Sequence, residues 1–505
     1  MQVLLLLSLV LPVVILIARR ATPAKAWLAN LKLVLASKPP AMFVTDYAAA
    51  HNLLVRGSRA VGGGSFSNRP PSMSPSAVLS GRLYHNIISA PYGQLWRALR
   101  HNLTSGVLHP THLRGYAAAR RHALRGLVVD LREQQLADGV VLATESIRSA
   151  VFGLVSTMCF GEGVDAAVVR AMADVQMELI LSLPAVRTLV SVPFLALCRL
   201  IYRKRWNKLV AIRQKQEELY LPLIDGCRIH PRHSDETPTY VHTLLDLHVP
   251  VEFEADDQIP AAPGPAGGKQ RQQRRLEDGE LVGLCSEFLG SGTESLSVAL
   301  QWIMANLMKR ADMQEAIWRE IDAAVEADTE EVGEEVLGKL DHLSAVILEA
   351  LRLHPTTMWV FRQVMEEDQV VHDGQHIPAG TKMVFSLEAL GRDKTVWTDP
   401  DEFKPERFQA CGGGESVTKN LLSMAGDMKM MPFGAGRRMC PAISMSLLHI
   451  GYFIANLMRE FEWREAEGEH AVQLHTDANV LLFNFMERPL RAHLVPRRPV
   501  VKKVR

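Results

Sequence analysis

The sequence predicts a mainly α fold: a large helical body with small β-sheets, behind one N-terminal membrane anchor. Three observations predict it. Apolar residues recur at helical spacing from about Gly93 to Arg352. Strand signals are short and few. The stretch from Val3 to Ala18 is apolar throughout except for Ser8, with Pro12 inside it, and sits near the lower length limit for a bilayer span.

Arg19 and Arg20 follow that run at once, with Lys25, Lys32 and Lys38 beyond, and no side-chain cation precedes it. The positive-inside rule then puts the N-terminus in the lumen and the body in the cytosol. Residues 1–20 read as a single-pass anchor in the endoplasmic reticulum membrane, 21–40 as a short linker and 41–505 as the main domain. The competing reading is a cleaved signal peptide ending near Ala24-Lys-Ala26. The missing charge ahead of the run and the arginine pair behind it oppose that reading.

Along the body, Trp96-Arg97-Ala-Leu-Arg100 opens a helix after Pro91-Tyr-Gly93. Glu178 to Ile201 is apolar enough for a second span, but Pro184, Arg187 and Pro193 interrupt it. It reads as two helices and a loop at the bilayer surface, or equally as core helix. Pro260 to Arg275 is low-complexity and reads as a disordered surface loop, and Cys411 to Gly414 is loop-like as well. A helix from about Asp278 to Lys309 is interrupted by Gly290-Ser-Gly292-Thr-Glu294-Ser295. Mid-helix glycines there mark a kink, a break or a close approach. Leu343 to His354 is helical, Asp373-Gly374 signals a hairpin, Ile443 to Trp463 reads as a long helix and Val480 to Met486 as a strand.

At 505 residues and 48% hydrophobic, the chain can bury one large core or two smaller ones. A net charge of +1 with no strongly basic domain excludes a nucleic-acid partner. Six scattered cysteines, at 159, 198, 227, 285, 411 and 440, form no C-x-x-C pair. That excludes a disulfide scaffold or zinc ribbon and fits a reducing compartment.

The chemistry concentrates in Phe433-Gly-Ala-Gly436-Arg-Arg438-Met-Cys440. Gly434 and Gly436 permit a tight turn and close approach to a flat ligand. Cys440, before Pro441 and an apolar helix, sits where N–H groups and the dipole favour thiolate. Arg438 adds a cation able to meet a porphyrin propionate. A cysteine thiolate on haem iron favours O–O cleavage, so the implied chemistry is oxygen activation. The plain alternative is a buried structural cysteine in a glycine loop.

These residues resemble the cysteine loop of the cytochrome P-450 superfamily, in its plant A-type group near the 89A subfamily, from about residue 41 onward. The resemblance implies the cytochrome P-450 fold, heme b ligated by Cys440, and Phe433 and Arg438 beside it. It implies propionate contacts from Trp96, Arg100 and Arg362. Each of those arginines, taken alone, is more often a surface residue. Glu349-Ala-Leu-Arg352 with Arg407 resembles the family's buried structural network. Phe66-Ser-Asn-Arg69-Pro70-Pro71 is a further match. Glu294 and Ser295 match the oxygen-activation segment, where an acid beside a hydroxyl organises proton delivery. The implied activity is a monooxygenase that takes electrons from NADPH through a reductase and oxidises a lipophilic small molecule.

The chain departs from the pattern at four places. Ala442 stands where glycine is usual, Ser295 where threonine is usual, and Leu296 replaces the next hydroxyl residue. Only about twenty residues, Ala21 to Pro40, fill an interval that normally holds a hinge, a helix and a strand. A missing strand would expose a sheet edge. These departures motivate a second reading, a degenerate haem-binding membrane protein without turnover.

Overall fold

The computed structural model describes residues 41–56, 65–70, 86–88, 90–190, 201–231, 236–251, 273–326, 328–364, 371–372, 374–409, 429–466, 472–476 and 482–497. The anchor expected over 1–20, the linker over 21–40 and the loop at 411–414 lie outside them. No described helix is long and apolar enough to cross a membrane.

The helical body is built first from Gln94–Gly106 (α1), Ala117–Asp138 (α2), Ala143–Phe160 (α3), Ala166–Val190 (α4) and Arg203–Ile229 (α5). It continues with Asp278–Met308 (α6), Ala311–Ala324 (α7), Asp341–Leu353 (α8) and Ile443–Glu460 (α9). The strands in chain order are Ala41–Val44 (β1), Val141–Leu142 (β2), His248–Pro250 (β3), Gln273–Arg275 (β4) and Trp359–Gln363 (β5). Val371–His372 (β6), Gln375–His376 (β7), Lys382–Ser386 (β8), Phe461–Glu465 (β9) and Arg491–Pro496 (β10) complete them. One sheet runs β1-β8-β5, with β1 parallel and β5 antiparallel to β8. A second runs β2-β10-β9, and β3-β4 and β6-β7 are two-stranded. The expected mainly α body with small sheets is what forms.

The spine is α6. Glu280 accepts the Glu277 N–H at 2.8 Å, and Asp278 and Glu280 place acid in the first turn, where the helix dipole favours it. Every residue from Leu296 to Met308 is buried, as an apolar all-round helix requires. The expected interruption at Gly290–Ser295 does not occur; the helix runs through it. Of the outcomes expected of the glycines, close approach is the one that forms. A Cβ at Gly290 would fall 2.2 Å from Gln176 Nε2 on α4, and one at Gly292 would lie 3.1 Å from Val155 Cγ1 on α3.

Other expectations are corrected by pairing. The helix expected over Ile443–Trp463 stops at Glu460, because Phe461 and Trp463 point inward with period two and pair with β10. Val480–Met486 supplies no strand among the described residues, only isolated bridges from Phe483 to Thr357 and from Met486 to Thr476. The end of the expected loop, Gln273–Arg275, is a strand, and Arg274 is held by Glu280 through two hydrogen bonds of 2.7 and 2.8 Å. Helix α4 runs through Pro184 to Val190, and residues 191–200, within the stretch where a loop between two helices was expected, lie outside the described residues. The hairpin at Gly374 forms as expected, with Gly374 at φ 75°. β1 is an edge strand, and Phe43 on it is 66% exposed.

Beneath the site lies a buried ion network. Arg352 donates to both Glu349 oxygens at 2.7 Å, and Arg407 Nε reaches Glu349 Oε1 at 3.4 Å. Arg352 also donates to the carbonyls of Gly391 and Pro400 at 2.6 and 2.7 Å. The backbone of Lys404 donates to Glu349 at 2.7 Å, so one carboxylate ties α8 to the segment before the cysteine loop. Glu349 and Arg352 are fully buried, so their charges depend on each other. Glu349→Ala leaves Arg352 and Arg407 without their counter-charge. It is expected to cost about 3–5 kcal/mol of folding stability, read as a lowered thermal midpoint, with Glu349→Asp intermediate.

Candidate active site

The cysteine loop is closed by its own backbone. Cys440 N–H donates to Phe433 C=O at 3.0 Å, Gly434 N–H to Met431 C=O at 2.9 Å and Met439 N–H to Gly436 C=O at 3.0 Å. Gly434 and Gly436 have φ of 70° and 72°, a region that disfavours side chains, so these two positions require glycine. A 3-10 turn, Gly436–Arg438, leads into Cys440 two residues ahead of Ala442, the residue capping α9. The Ala442 N–H donates to Cys440 Sγ at 3.4 Å. Burial pushes the thiol upward, while that N–H and the charges of Arg100 and Arg69 pull it back. Ala442 has φ −102° and ψ 24°, unstrained for alanine, and its methyl lines the cavity above the loop.

Arginines crowd this thiol. Arg438 is buried and donates to the carbonyls of Ser67 at 2.7 Å, Ile87 at 3.0 Å and Ala90. It also lies 4.5 Å from the Trp96 ring centroid, and Arg100 lies 5.6 Å from the same ring. Trp96 Nε1 donates to Ile87 C=O at 3.1 Å and Arg100 to Met439 C=O at 2.6 Å. Arg362 donates to Phe361 C=O and Ala435 C=O, and its buried Nε has no partner among the described residues. Arg69 joins them and donates to Ile88 C=O at 3.3 Å. Burial and the neighbouring Arg69 and Arg100 pull Arg438 down to about 9, and burial with Arg69 and Arg438 pulls Arg362 well down.

Against this stands one carboxylate among the described cavity residues, Glu287 on α6. It accepts the N–H groups of Ile87 and Ile88 at 2.9 and 2.6 Å. Burial raises it to about 7 even though those N–H groups, Arg69 and Arg438 lower it. Arg69 and Glu287 carry no role in the sequence reading. Arg69 was visible in its Asn-Arg-Pro-Pro setting, and Glu287 by lying four and eight residues before Ser291 and Ser295 on one helix face.

The structure separates the two residues expected to deliver protons. Ser295 lines the cavity and its Oγ donates to Ser291 C=O at 2.6 Å. Glu294 does not line it. Its Oε1 accepts from Arg148 Nε on α3 at 3.0 Å, and its fully buried Oε2 has no partner among the described residues. Burial raises Glu294, opposed by Arg148. Arg148 is a residue that sequence spacing alone does not reveal, since it lies on another helix.

The thiol, the arginines beside it, Glu287 and Ser295 border one cavity of about 370 Å³, with Cys440, Phe433 and Ala442 on one wall and α6 on the other. The residues fit a haem. A thiol sits in a glycine cradle, and the guanidinium groups of Arg69, Arg100, Arg362 and Arg438 with the single carboxylate of Glu287 suit two propionates. Fold and cavity thus define the class of haem-thiolate oxygenases.

Comparison with known proteins agrees. The sequence profile of the family Cytochrome P450 matches residues 32–484. Cytochrome P450 89A9 of Arabidopsis thaliana is 36% identical over 468 residues, 91% of this chain and 85% of that protein. Amorpha-4,11-diene 12-monooxygenase of Artemisia annua is 26% identical over 406 residues, 80% of this chain and 74% of that protein. Among solved structures, a zebra fish cytochrome P450 with progesterone superposes at TM-score 0.69 and 18% identity, covering 91% of this chain and 94% of that one. The retinoic acid-bound cyanobacterial CYP120A1 gives 0.68 at 20% identity, covering 90% and 88%. The chain belongs to the cytochrome P450 family, monooxygenases with a cysteine-ligated haem iron.

The cation cluster makes a prediction with opposite signs in the two states. Arg362→Met removes a charge that burial and its neighbours already disfavour, so the thermal midpoint of the haem-free chain should not fall. Haem transfer to a scavenger protein should accelerate about ten-fold, the worth of one charge-assisted hydrogen bond.

Proposed function

We propose that Cys440 is the proximal ligand and that the chain is a membrane-anchored monooxygenase of a small lipophilic compound, fed by NADPH through a reductase. The observation that carries the reading is the meeting of Cys440, the arginine cluster and the Ser291–Ser295 face of α6 in one cavity. When bound, thiolate-ligated haem supplies reductive activation of dioxygen. Phe433 and the loop amides hold the Sγ position, and Trp96, Arg100, Arg362 and Arg438, joined by Arg69, orient the propionate edge.

Ser295 Oγ is a hydroxyl at the cavity wall, and its bond to Ser291 C=O positions its lone pairs for water. Glu294 lies one residue away, held by Arg148. A swing of its carboxylate from Arg148 toward Ser295 would move a proton to the cavity. Leu179, Ile180, Phe288, Leu296 and Phe483 give the cavity its apolar walls, which supports a lipophilic substrate. The apolar run at 3–18 and the arginines behind it support an endoplasmic reticulum anchor with a cytosolic body.

Cys440→Ser should abolish the thiolate-type spectrum of the reduced protein with carbon monoxide, while Cys411→Ser keeps it. An unchanged spectrum in the Cys440 variant sinks the assignment. Ser295→Ala should divert electrons from product to peroxide with haem retained, and Ser295→Thr should match or improve coupling. A product-to-NADPH ratio that Ser295→Ala leaves unaltered removes the hydroxyl from the relay. For topology, a glycosylation acceptor placed within 260–272 should stay unmodified in cells. Efficient glycosylation there would put the body in the lumen.

A further inference from the structure

The cavity has a polar end that the oxygen chemistry does not use. Gln176 on α4, Gln216 on α5 and Ser286 on α6 all line it, and their relative exposures are 3%, 1% and 6%. Gln216 Nε2 donates to Ser286 Oγ at 2.9 Å and to Gln176 Oε1 at 3.4 Å. Ser286 Oγ donates to Gln176 Oε1 at 3.1 Å, and Tyr220 OH donates to the same oxygen at 3.4 Å. Three donors thus converge on one carbonyl oxygen. The other end of each carboxamide is unmatched: neither Gln176 Nε2 nor Gln216 Oε1 has a hydrogen-bond partner among the described residues. Both atoms keep accessible surface in the wall of the cavity, so a spare donor and a spare acceptor there point to a ligand that supplies the complement.

Gly290 is part of the same arrangement. The Gln176 amide lies against its backbone, where any side chain would displace it. The nearest cation on this wall, Arg213, is already matched by Glu217 at 3.0 Å and donates to Gly279 C=O. The polar end is therefore neutral.

We propose that Gln176, Gln216 and Ser286 form a specificity-determining anchor for a neutral group that both donates and accepts hydrogen bonds, such as an amide or a hydroxyl, on an otherwise apolar substrate. The inference deepens the monooxygenase reading and rests on that cavity being the substrate site. Ser286 lies six residues before Gly292, so the anchor sits about 9 Å along α6 from the oxygen-activation segment. The substrate carbon that reacts is then about that far from its polar group, separated by apolar atoms.

Three probes of one shape test this: 4-pentylbenzamide, 4-pentylbenzoate and 4-pentyltoluene, with dissociation constants from equilibrium dialysis of the purified full chain. The benzamide should bind about ten-fold tighter than the toluene, the worth of one or two buried hydrogen bonds, and tighter than the benzoate. Gln216→Leu and Gln176→Leu should each bring the benzamide to the level of the toluene measured with the same variant. Gly290→Ala guards against a variant that fails to fold, since alanine favours the helix while its methyl displaces the Gln176 amide. It should erase the same preference. Equal binding of benzamide and toluene by the parent protein, or a preference that survives in the folded variants, overturns the anchor. Tightest binding of the benzoate overturns the neutral class in favour of an acid held by Arg213. The carbon monoxide spectrum, recorded on the same samples, reads the haem-thiolate assignment separately, and dialysis tests the anchor whatever that spectrum shows.

Discussion

Four arginines share one thiol and one carboxylate, and the arrangement around the cavity follows from that imbalance. Arg438 holds the carbonyls of Ser67, Ile87 and Ala90; Arg69 holds Ile88, Arg100 holds Met439 and Arg362 holds Ala435. Between Ser65 and Gly93 the described residues carry only the 3-10 turn Ser65–Ser67, so guanidinium donors stand in for a ladder there. Each guanidinium is also disfavoured by burial, and three of them by another of the four. An anionic partner would relieve that cost, so binding one stabilises the folded chain.

The network on Glu349 uses the same chemistry to a different end. There the carboxylate is shared by two arginines and a backbone N–H, and every Arg352 nitrogen has a partner. A buried network of that kind contributes by being fully satisfied, and removing one member leaves the others exposed to the low dielectric. It anchors α8 to residues 391–407 and so supports the cysteine loop without touching the cavity. The two clusters show how arginines of similar burial divide into scaffold and binding groups: one set is matched within the protein and the other is not.

Helix α6 lines the cavity along one face and carries the residues of both proposals, oxygen chemistry and recognition. Gly283, Glu287, Ser291, Ser295 and Ala299 recur four apart along the cavity. Glu294, one position round the helix, turns instead to Arg148. Gly290 and Gly292 let α4 and α3 approach closely, so the glycines spend helix propensity on packing and on placing a glutamine amide.

Much of this was written locally. Gly434 and Gly436 signalled the turn, the hairpin at Asp373-Gly374 was legible, and the motif residues Cys440, Arg438, Trp96 and Arg362 do converge. Such features depend on backbone preference and short spacing, which a single sequence displays. Where the reading failed, a distant partner decided. Phe461 to Glu465 left the helix because β10 lies alongside, and Gln273 to Arg275 became a strand because β3 and Glu280 capture it. Arg148, Gln176 and Gln216 have ordinary neighbours in sequence, and their roles, like those of Arg69 and Glu287, arise only where separate helices and loops meet. The sequence by itself determined the helical body, the cysteine turn and the class of chemistry. Tertiary structure decided which charges were matched and which polar atoms faced the cavity, because burial and hydrogen-bond satisfaction belong to three-dimensional neighbours and not to spacing along the chain.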